Sequence, residues 1–559
     1  MTAPTTCWSA TSFAPTSRRS GSSASISPRR RFSAPTDPPI KQERQEAMAD
    51  RDLAKGIASS EVQEGHIVAG VLDGQDVVLV RHKGRVCALA GQCTHLKAPL
   101  SEGIVADGTL RCPWHHARFD IETGEAVGAP AFAPLERFEV VEDDGQLRIT
   151  VPAEPGPAPE AAEAAELERI VIIGAGAAGH ACAEMLARHG AGASVIVIDE
   201  ESDAPYDRTF CSKQYLAGKA KRGETALPGL EGVDVRSGIA VSRIDREAKT
   251  IVLKNDDTIS YDRLVLATGA AVVSPDFYGS DRKDVFALRT LTDADQLIAA
   301  AGQAKRAIVV GSSYIGLEVA ASLIARGLEV AVISDDEWPL EKTAGLEVGA
   351  MIRNLHESKG VTFHLNRRIA RWDGHVAMLD DGSEVKGDFV VAGIGVRPRV
   401  ELAEAAGLDL SDKSNGGGVK VDPQLRTSDP AIHAIGDIAN APDPRLGHPI
   451  RVEHWVVAQR MGQWLARHFM GQVSGDYREV PFFWSGHYDL SLRYVGHVAS
   501  PEHRTIYGDV PAKDFVVSFA EEGREQAVLT AGRDELALQK EYEWEQEGRS
   551  QAGDKMPSG

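Results

Sequence analysis

The stretch Ile170-Val171-Ile172-Ile173-Gly174-Ala175-Gly176-Ala177-Ala178-Gly179 decides the fold of most of this chain. Four successive β-branched residues predict a buried strand, and the Gly-x-Gly-x-x-Gly behind it predicts a tight turn into a helix. Those glycines let backbone N–H groups and the helix N-terminus approach a pyrophosphate. The helix runs toward Gly190, and a second strand follows at Val195-Ile196-Val197-Ile198. The plan recurs at Ile308-Val309-Val310, Gly311-x-x-x-x-Gly316, a helix to Gly327 and a strand at Val330-Ala331-Val332-Ile333. In both units the last motif glycine lies eleven residues before the glycine that ends the helix. Two such units predict two bound nucleotides.

Upstream, the pattern changes to short strands at Val77–Val80, Val86–Leu89, Phe138–Val141 and Leu147–Val151. Asp73-Gly74, Lys83-Gly84, Asp107-Gly108 and Asp144-Gly145 punctuate them as turns. This predicts a small antiparallel barrel over 59–151. It carries Cys93-Thr94-His95 and, after sixteen intervening residues, Cys112-Pro113-Trp114-His115. Two Cys-His pairs suit a two-iron cluster with unequal ends, thiolates on one iron and neutral imidazoles on the other. A structural zinc site is the alternative, but zinc fingers favour Cys-x2–4-Cys and His-x3–5-His blocks. The predicted ligands are Cys93, His95, Cys112 and His115. Exchanging two thiolates for imidazoles leaves the cluster less negative, so it accepts electrons readily.

Cys93–Leu96 and Cys112–Asp120 resemble the Rieske ferredoxins. High-potential Rieske proteins carry a disulfide beside the cluster, and Ala98 and Trp114 stand in those places here. Ala117 and Phe119 stand where those proteins place a Ser and a Tyr that donate to the cluster. The resemblance therefore implies a potential near the low end of the Rieske range, about −150 mV. His116 occupies a usual Gly position; if that position needs φ > 0, His tolerates it, and the expectation is a solvent-facing imidazole.

From Arg169 to about Pro481 the chain resembles the FAD-dependent pyridine-nucleotide oxidoreductases. It is most like the ferredoxin reductases of oxygenase systems and the Rieske-bearing proteins similar to apoptosis-inducing factor. The matching stretches include Pro205–Arg208 with Ser212-Lys213, Ala267-Thr268-Gly269, Leu288–Leu291, Gly395–Pro398, Arg426–Ser428, Ala434–Asp437 and Glu453–Trp455. The resemblance implies that Gly174, Gly176 and Gly179 hold the FAD pyrophosphate and Glu200 or Glu201 the adenosine ribose. Arg208, Lys213 and Arg289 would lie near the flavin and its phosphates. Asp437 would accept from the ribityl chain, and Trp455 would lie against the ring system. Val241, Ala267, Thr268, Gly269, Gly395 and Gly436 would complete the site.

The second unit, with Gly311 and Gly316, would take the nicotinamide cofactor, and Glu318 would lie near the nicotinamide. Ser312 and Ser313 replace usual glycines, and Ser334 stands where an acid normally meets the ribose 2′-hydroxyl. Asp335, Asp336 and Glu337 follow, with no nearby Arg to receive a 2′-phosphate. NADH is therefore expected over NADPH. The segment from Tyr477, with Pro481-Phe482-Phe483-Trp484-Ser485, resembles the C-terminal dimer or interface domain of these reductases, so a homodimer is a candidate assembly. Gly486-His487 replaces the family's acid-amide pair.

The expected architecture is a small all-β Rieske barrel, an α/β two-Rossmann flavoprotein fold and an α+β C-terminal domain. The expected boundaries are a disordered extension at 1–47, the barrel at 59–151 and a flexible linker at 152–167. FAD binding falls to 168–296 and 400–476, NAD binding to 297–399, the C-terminal domain to 477–546 and a disordered tail to 547–559. At 559 residues several domains are required, since single cores rarely exceed ~250–300 residues. The formal charge of −20 argues against nucleic-acid and anionic-membrane partners. No apolar run reaches the ~18–20 residues that cross a bilayer.

Cys7, Cys87, Cys93, Cys112, Cys182 and Cys211 are too few and too scattered for a disulfide scaffold, which points to a reducing, cytoplasmic setting. Residues 1–36 lack acids and carry Arg18, Arg19, Arg29, Arg30 and Arg31. They read as an over-long start ahead of Met48, with a mitochondrial transit peptide as the alternative. Cys182 and Cys211 each stand alone, so a flavin disulfide reductase lacks its redox pair. The functional expectation is NADH oxidation at FAD with single-electron transfer to the built-in cluster. An oxygenase, cytochrome or ferredoxin would be the one-electron acceptor. The alternative is a redox-sensing binding protein similar to apoptosis-inducing factor, with little turnover.

Overall fold

The computed structural model describes residues 51–152, 168–499, 501 and 503–551. The expected N-terminal extension and most of the expected linker lie outside these residues.

The first domain is built on hairpins. Its larger sheet is antiparallel, in the order Ile57–Ala58, Gln146–Pro152, Arg137–Asp143, Arg85–Ala90, Gln75–His82, Ile67–Leu72. All four anticipated turns adopt left-handed pairs: φ is 50° and 84° at Asp73-Gly74, 51° and 76° at Lys83-Gly84, 47° and 72° at Asp107-Gly108, and 48° and 72° at Asp144-Gly145. Both central residues at φ > 0 match the twist of the flanking strands, so these dipeptides fix the register. A second antiparallel sheet runs Ile104–Ala106, Thr109–Arg111, Arg118–Asp120, Ala126–Gly128. Cys112 and His115 sit in its central hairpin, while Cys93 and His95 follow Arg85–Ala90. Leu100, Leu110, Phe119 and Ile121 bury beneath both ligand loops and join one apolar core with the two cysteines.

The two nucleotide units form two parallel sheets. The first is ordered Asp234–Arg236, Val195–Ile198, Ile170–Ile173, Arg263–Leu266, Ile432–Ala434. The second is ordered Val285–Ala287, Phe389–Ala392, Arg306–Val310, Glu329–Ser334, Val361–Leu365. The second sheet thus takes in Val285–Ala287, ahead of the expected boundary at 297. The near-continuous apolar strands fit a sheet covered on both faces. The glycine motifs repeat in three dimensions as well as in sequence. Gly174 (φ 105°) and Gly311 (φ 101°) make the turns, and a Cβ on Gly179 or Gly316 would lie 1.9 or 2.3 Å from the carbonyl oxygen of Gly174 or Gly311. Only glycine lets each helix, Ala177–Arg188 and Tyr314–Ala325, start that close to its strand.

The C-terminal domain is an antiparallel sheet in the order Phe482–His487, Leu490–Gly496, Arg524–Ala531, Asp514–Glu521, His503–Asp509, followed by the helix Asp534–Gln551. The expectation that order ends at Glu547 is corrected, because the helix continues to Gln551 and Arg549 pairs with Asp107 at 2.8 Å.

The expectation of a loosely tethered barrel is also corrected. The first domain is seated on the reductase through a buried ionic cluster. Arg118 reaches Glu479 (2.7 Å), Glu541 (3.0 Å) and Glu545 (2.6 Å), Arg111 reaches Glu545 (2.9 Å), and Arg460 reaches Glu541 (2.8 Å). Although burial pushes its pKa up, Arg460, His116 and Arg118 together hold the Glu541 carboxyl well below the usual range. His116 is fully buried rather than solvent-facing. Its ring stacks on Phe482 at 3.7 Å, and its Nδ1 bonds the Glu541 carboxylate. The anticipated left-handed turn is present, with φ 59° at His116. The Ala129 amide donates to Gln463 (2.8 Å), and Arg493 donates to the Trp114 carbonyl (3.2 Å).

Candidate functional site

The two metal-ligand loops share one scaffold. Cys93 N–H donates to Ala98 O (2.9 Å) and Lys97 N–H to Cys93 O (2.9 Å), with Lys97 at φ 60°. Cys112 N–H donates to Ala117 O (2.8 Å) and His116 N–H to Cys112 O (3.1 Å), with His116 at φ 59°. Equivalent turns therefore face each other and bring like ligands together. The Cys93 and Cys112 sulfurs hydrogen-bond, and the Nδ1 atoms of His95 and His115 are 3.2 Å apart. Burial lowers both imidazoles, His95 to about 4 and His115 further, so both are neutral as metal ligation requires. Backbone N–H groups of His95 and Leu96 serve the Cys93 sulfur, and those of Trp114 and His115 serve Cys112. Among the described residues no three His, Cys, Asp or Glu side chains gather round one point. A thiol pair beside an imidazole pair fits a two-iron cluster with unequal ends better than a single tetrahedral zinc.

A cavity of about 700 Å³ runs between the nucleotide domains and the C-terminal sheet. Gly174, Gly176, Glu200, Glu201, Arg208, Lys213, Val241, Ala267, Thr268, Gly269, Arg289, Gly395, Gly436, Asp437 and Trp455 all line it. Gly179 does not line it and acts through helix packing. Arg289 pairs with Asp437 at 2.6 Å, Glu201 accepts from Tyr206 (2.6 Å) and from Arg208, and Glu200 pairs with Arg399. Asp199 beside them is pushed up to about 6 by burial and by Glu201. Trp455 lines the cavity, and its buried Nε1 has no protein partner. A glycine turn opening on the cavity and polar groups at its rim fit a dinucleotide such as FAD.

Glu318 stands one layer behind this wall. Its carboxylate accepts from Ser212 (2.6 Å) and Ser485 (2.6 Å) and pairs with Lys213 (2.8 Å). It therefore acts on the cavity through Lys213 and Ser212. Gly311 and Gly316 form the second turn, where Ser312 bonds Ser334 at 2.9 Å. The reading that no Arg lies near the acids after Ser334 is corrected. Arg368 pairs with Asp335 at 2.7 Å and Lys342 with Asp336 at 2.7 Å. Arg368 arrives from beyond the next strand, so the sequence around Asp335 could not reveal it, whereas Lys342 lies six residues after Asp336.

Sequence reasoning placed Trp484 in the interface domain and missed its position. The residue lines the cavity, and its ring packs on the ligand His115, with ring centroids 4.2 Å apart. His95 lies 6.4 Å from the same ring.

A dinucleotide cavity, a second nucleotide turn and a cluster site touching the cavity wall define an iron–sulfur flavoprotein oxidoreductase. Residues 168–462 match the pyridine nucleotide-disulphide oxidoreductase model and residues 54–139 the Rieske [2Fe-2S] domain; the chain belongs to that oxidoreductase family and carries a Rieske domain before it. It is 27% identical over 492 residues to apoptosis-inducing factor 3 of Homo sapiens, covering 82% of this chain and 78% of that protein. It is 36% identical over 378 residues to the ferredoxin–NAD(+) reductase component of the anthranilate 1,2-dioxygenase system of Burkholderia cepacia, covering 65% of this chain and 91% of that one. Among solved structures, it resembles the covalent putidaredoxin reductase–putidaredoxin complex at a TM-score of 0.63 and 29% identity, over 67% of this chain and 92% of that chain. FAD, NAD(P)H and a [2Fe-2S] cluster are the cofactors of these two domains.

Proposed function

We propose that the protein oxidises NADH and delivers the electrons singly, through its own Rieske cluster, to an external acceptor protein such as an oxygenase component, a ferredoxin or a cytochrome. The observation that carries this reading is Trp484, which lines the cavity and whose ring packs on the cluster ligand His115. Bound FAD supplies the conversion of a two-electron hydride into single electrons. The chain's residues do the rest. Gly174, Gly176 and the N-terminus of Ala177–Arg188 hold the pyrophosphate, and Glu200 or Glu201 the adenosine ribose. The Arg289–Asp437 pair serves the ribityl and phosphate end, and Trp455 covers the ring system. Gly311, Gly316, Asp335 and Ser334 place the nicotinamide cofactor.

The ionic cluster around Arg118 and Glu541 fixes His115 against Trp484, so electron transfer needs no diffusional encounter. A reductase that must meet a separate ferredoxin has no such constraint. The relatives named for ferredoxin and putidaredoxin support an acceptor protein of that kind. Among the described residues, no helix is long and apolar enough to cross a membrane. Anaerobic mixing of purified holoprotein with NADH, followed at flavin and cluster wavelengths, tests the proposal. Rapid bleaching of the flavin and then the cluster is expected. Slow reduction that ends in a long-lived charge-transfer complex would favour the binding-protein alternative.

A further inference from the structure

Behind the cavity wall a continuous polar chain crosses three domains. Lys213 and Ser212 line the cavity and contact Glu318 on the helix Tyr314–Ala325. The other Glu318 oxygen accepts from Ser485 at 2.6 Å, and the Ser485 hydroxyl lies 3.2 Å from His487 Nε2. Ser485 and His487 are alternate residues of the strand Phe482–His487, so they share one face. His487 Nδ1 lies 3.4 Å from Nε2 of His356, on the last turn of the helix Leu346–Ser358. Glu318 is 3% exposed, and Ser485, His487 and His356 are 0% exposed. His356 Nδ1 has no protein partner, and the His356 ring centroid lies 5.0 Å from that of Tyr488, which is 36% exposed.

A buried row of polar side chains is costly unless its members hydrogen-bond one another. Nothing in nucleotide binding calls for His487 or His356, since neither lines the cavity. Oxidation of one NADH by two one-electron acceptors yields NAD⁺, two reduced acceptors and one proton.

We propose that Glu318, Ser485, His487 and His356 form a relay that carries this proton from the cavity wall to the surface at the end of the helix Leu346–Ser358. The inference rests on the electron-transfer reading above. The carboxyl of Glu318 takes up the proton on the Lys213 side and hands it to Ser485. Ser485 passes its own hydroxyl proton to His487 Nε2. With a proton on Nδ1, each imidazole accepts at Nε2 and gives at Nδ1, so the two rings act in series. Burial pushes both His487 and His356 down to about 3, which keeps each ring neutral between transfers. Electrons and the proton then leave the cavity in different directions, through Trp484 and through Ser485, adjacent residues of one strand.

The test follows flavin bands, cluster bands and a pH-indicator dye together after holoprotein is mixed with NADH in weak buffer, with ferricyanide as the one-electron acceptor. In the natural protein, proton release should keep pace with electron delivery. His487→Phe and His356→Ala should each delay proton release about a hundredfold, the lower end of what a positioned proton carrier contributes. Added 4-methylimidazole should restore release in His356→Ala and leave His487→Phe slow, because only the His356 position lies next to the exposed Tyr488. Flavin spectra and thermal melting report whether each variant is folded, and Ser485→Ala supplies the same break where His487→Phe does not fold. Proton release in step with electron delivery in folded His356→Ala and Ser485→Ala would overturn the relay. Failure of the cluster to bleach in the natural protein would instead overturn the electron-transfer reading.

Discussion

Glu541→Ala is the perturbation that probes the domain contact most sharply. The Glu541 side chain is 1% exposed and meets Arg460 at 2.8 Å, Arg118 at 3.0 Å and the His116 ring. Removing one member of a buried ion pair typically costs about 3–5 kcal/mol, because the partner charge is left uncompensated. Arg118 keeps Glu479 at 2.7 Å and Glu545 at 2.6 Å, and Arg460 keeps Glu479 at 3.7 Å and its hydrogen bond to the His116 carbonyl at 3.2 Å. The lower end therefore applies, ~3 kcal/mol, which is roughly a hundredfold in the docking equilibrium. The Ala129 amide reports that equilibrium, since it donates across the interface to Gln463. Its hydrogen exchange should accelerate about a hundredfold while amides in the strand Ile170–Ile173 stay protected. Flavin-to-cluster transfer should slow in the same variant, because the contact between His115 and Trp484 is made only when the domains are docked. Unchanged exchange at Ala129, with unchanged cluster reduction, would refute the claim that this ionic cluster holds the donor and acceptor together.

Other expectations follow from single residues. Cys112→Ala should return protein without iron or acid-labile sulfide by metal analysis, yet with FAD bound, because no residue of 51–152 lines the cavity. Gly174→Ala should lose FAD in the visible spectrum: at φ 105° its Cβ would lie 2.3 Å from the Ala267 oxygen, and the left-handed backbone alone costs ~1–2 kcal/mol. NADH should be preferred over NADPH, and Arg368→Ala should lower kcat/KM for NADPH a further tenfold or so, ~1.4 kcal/mol, by freeing Asp335 to repel a 2′-phosphate. Similar NADPH kinetics in that variant would show that Asp335 faces away from the ribose.

What was legible in the sequence was local. Cluster ligation, two-residue hairpins and nucleotide turns each depend on residues a few positions apart, so Cys93 with His95, Asp144 with Gly145, and Gly174 with Gly179 could be read directly. The docked arrangement depends on partners far apart along the chain. Nothing near Arg118 announces Glu541, and His116, polar and next to a ligand, reads as a surface residue until Phe482 and Glu541 cover it. Arg368 reaches Asp335 from beyond the next strand, Val361–Leu365. His487 looked like the loss of an acid-amide pair, and only the packing of the strand Phe482–His487 on the helix Leu346–Ser358 gives it a neighbour in His356. Trp484 was visible as an aromatic of the last domain, but its place between two cofactor sites exists only in the assembled fold.

The central claim is that electrons pass from the flavin to the cluster inside one molecule. It is tested by the rate of cluster reduction after anaerobic mixing of holoprotein with excess NADH, measured over a range of protein concentrations and repeated on protein stripped of FAD. A tethered and docked acceptor requires a rate independent of protein concentration, and a cluster that stays oxidised without FAD however much NADH is added. A rate that rises linearly with protein concentration, or a cluster that bleaches without FAD, would contradict the account.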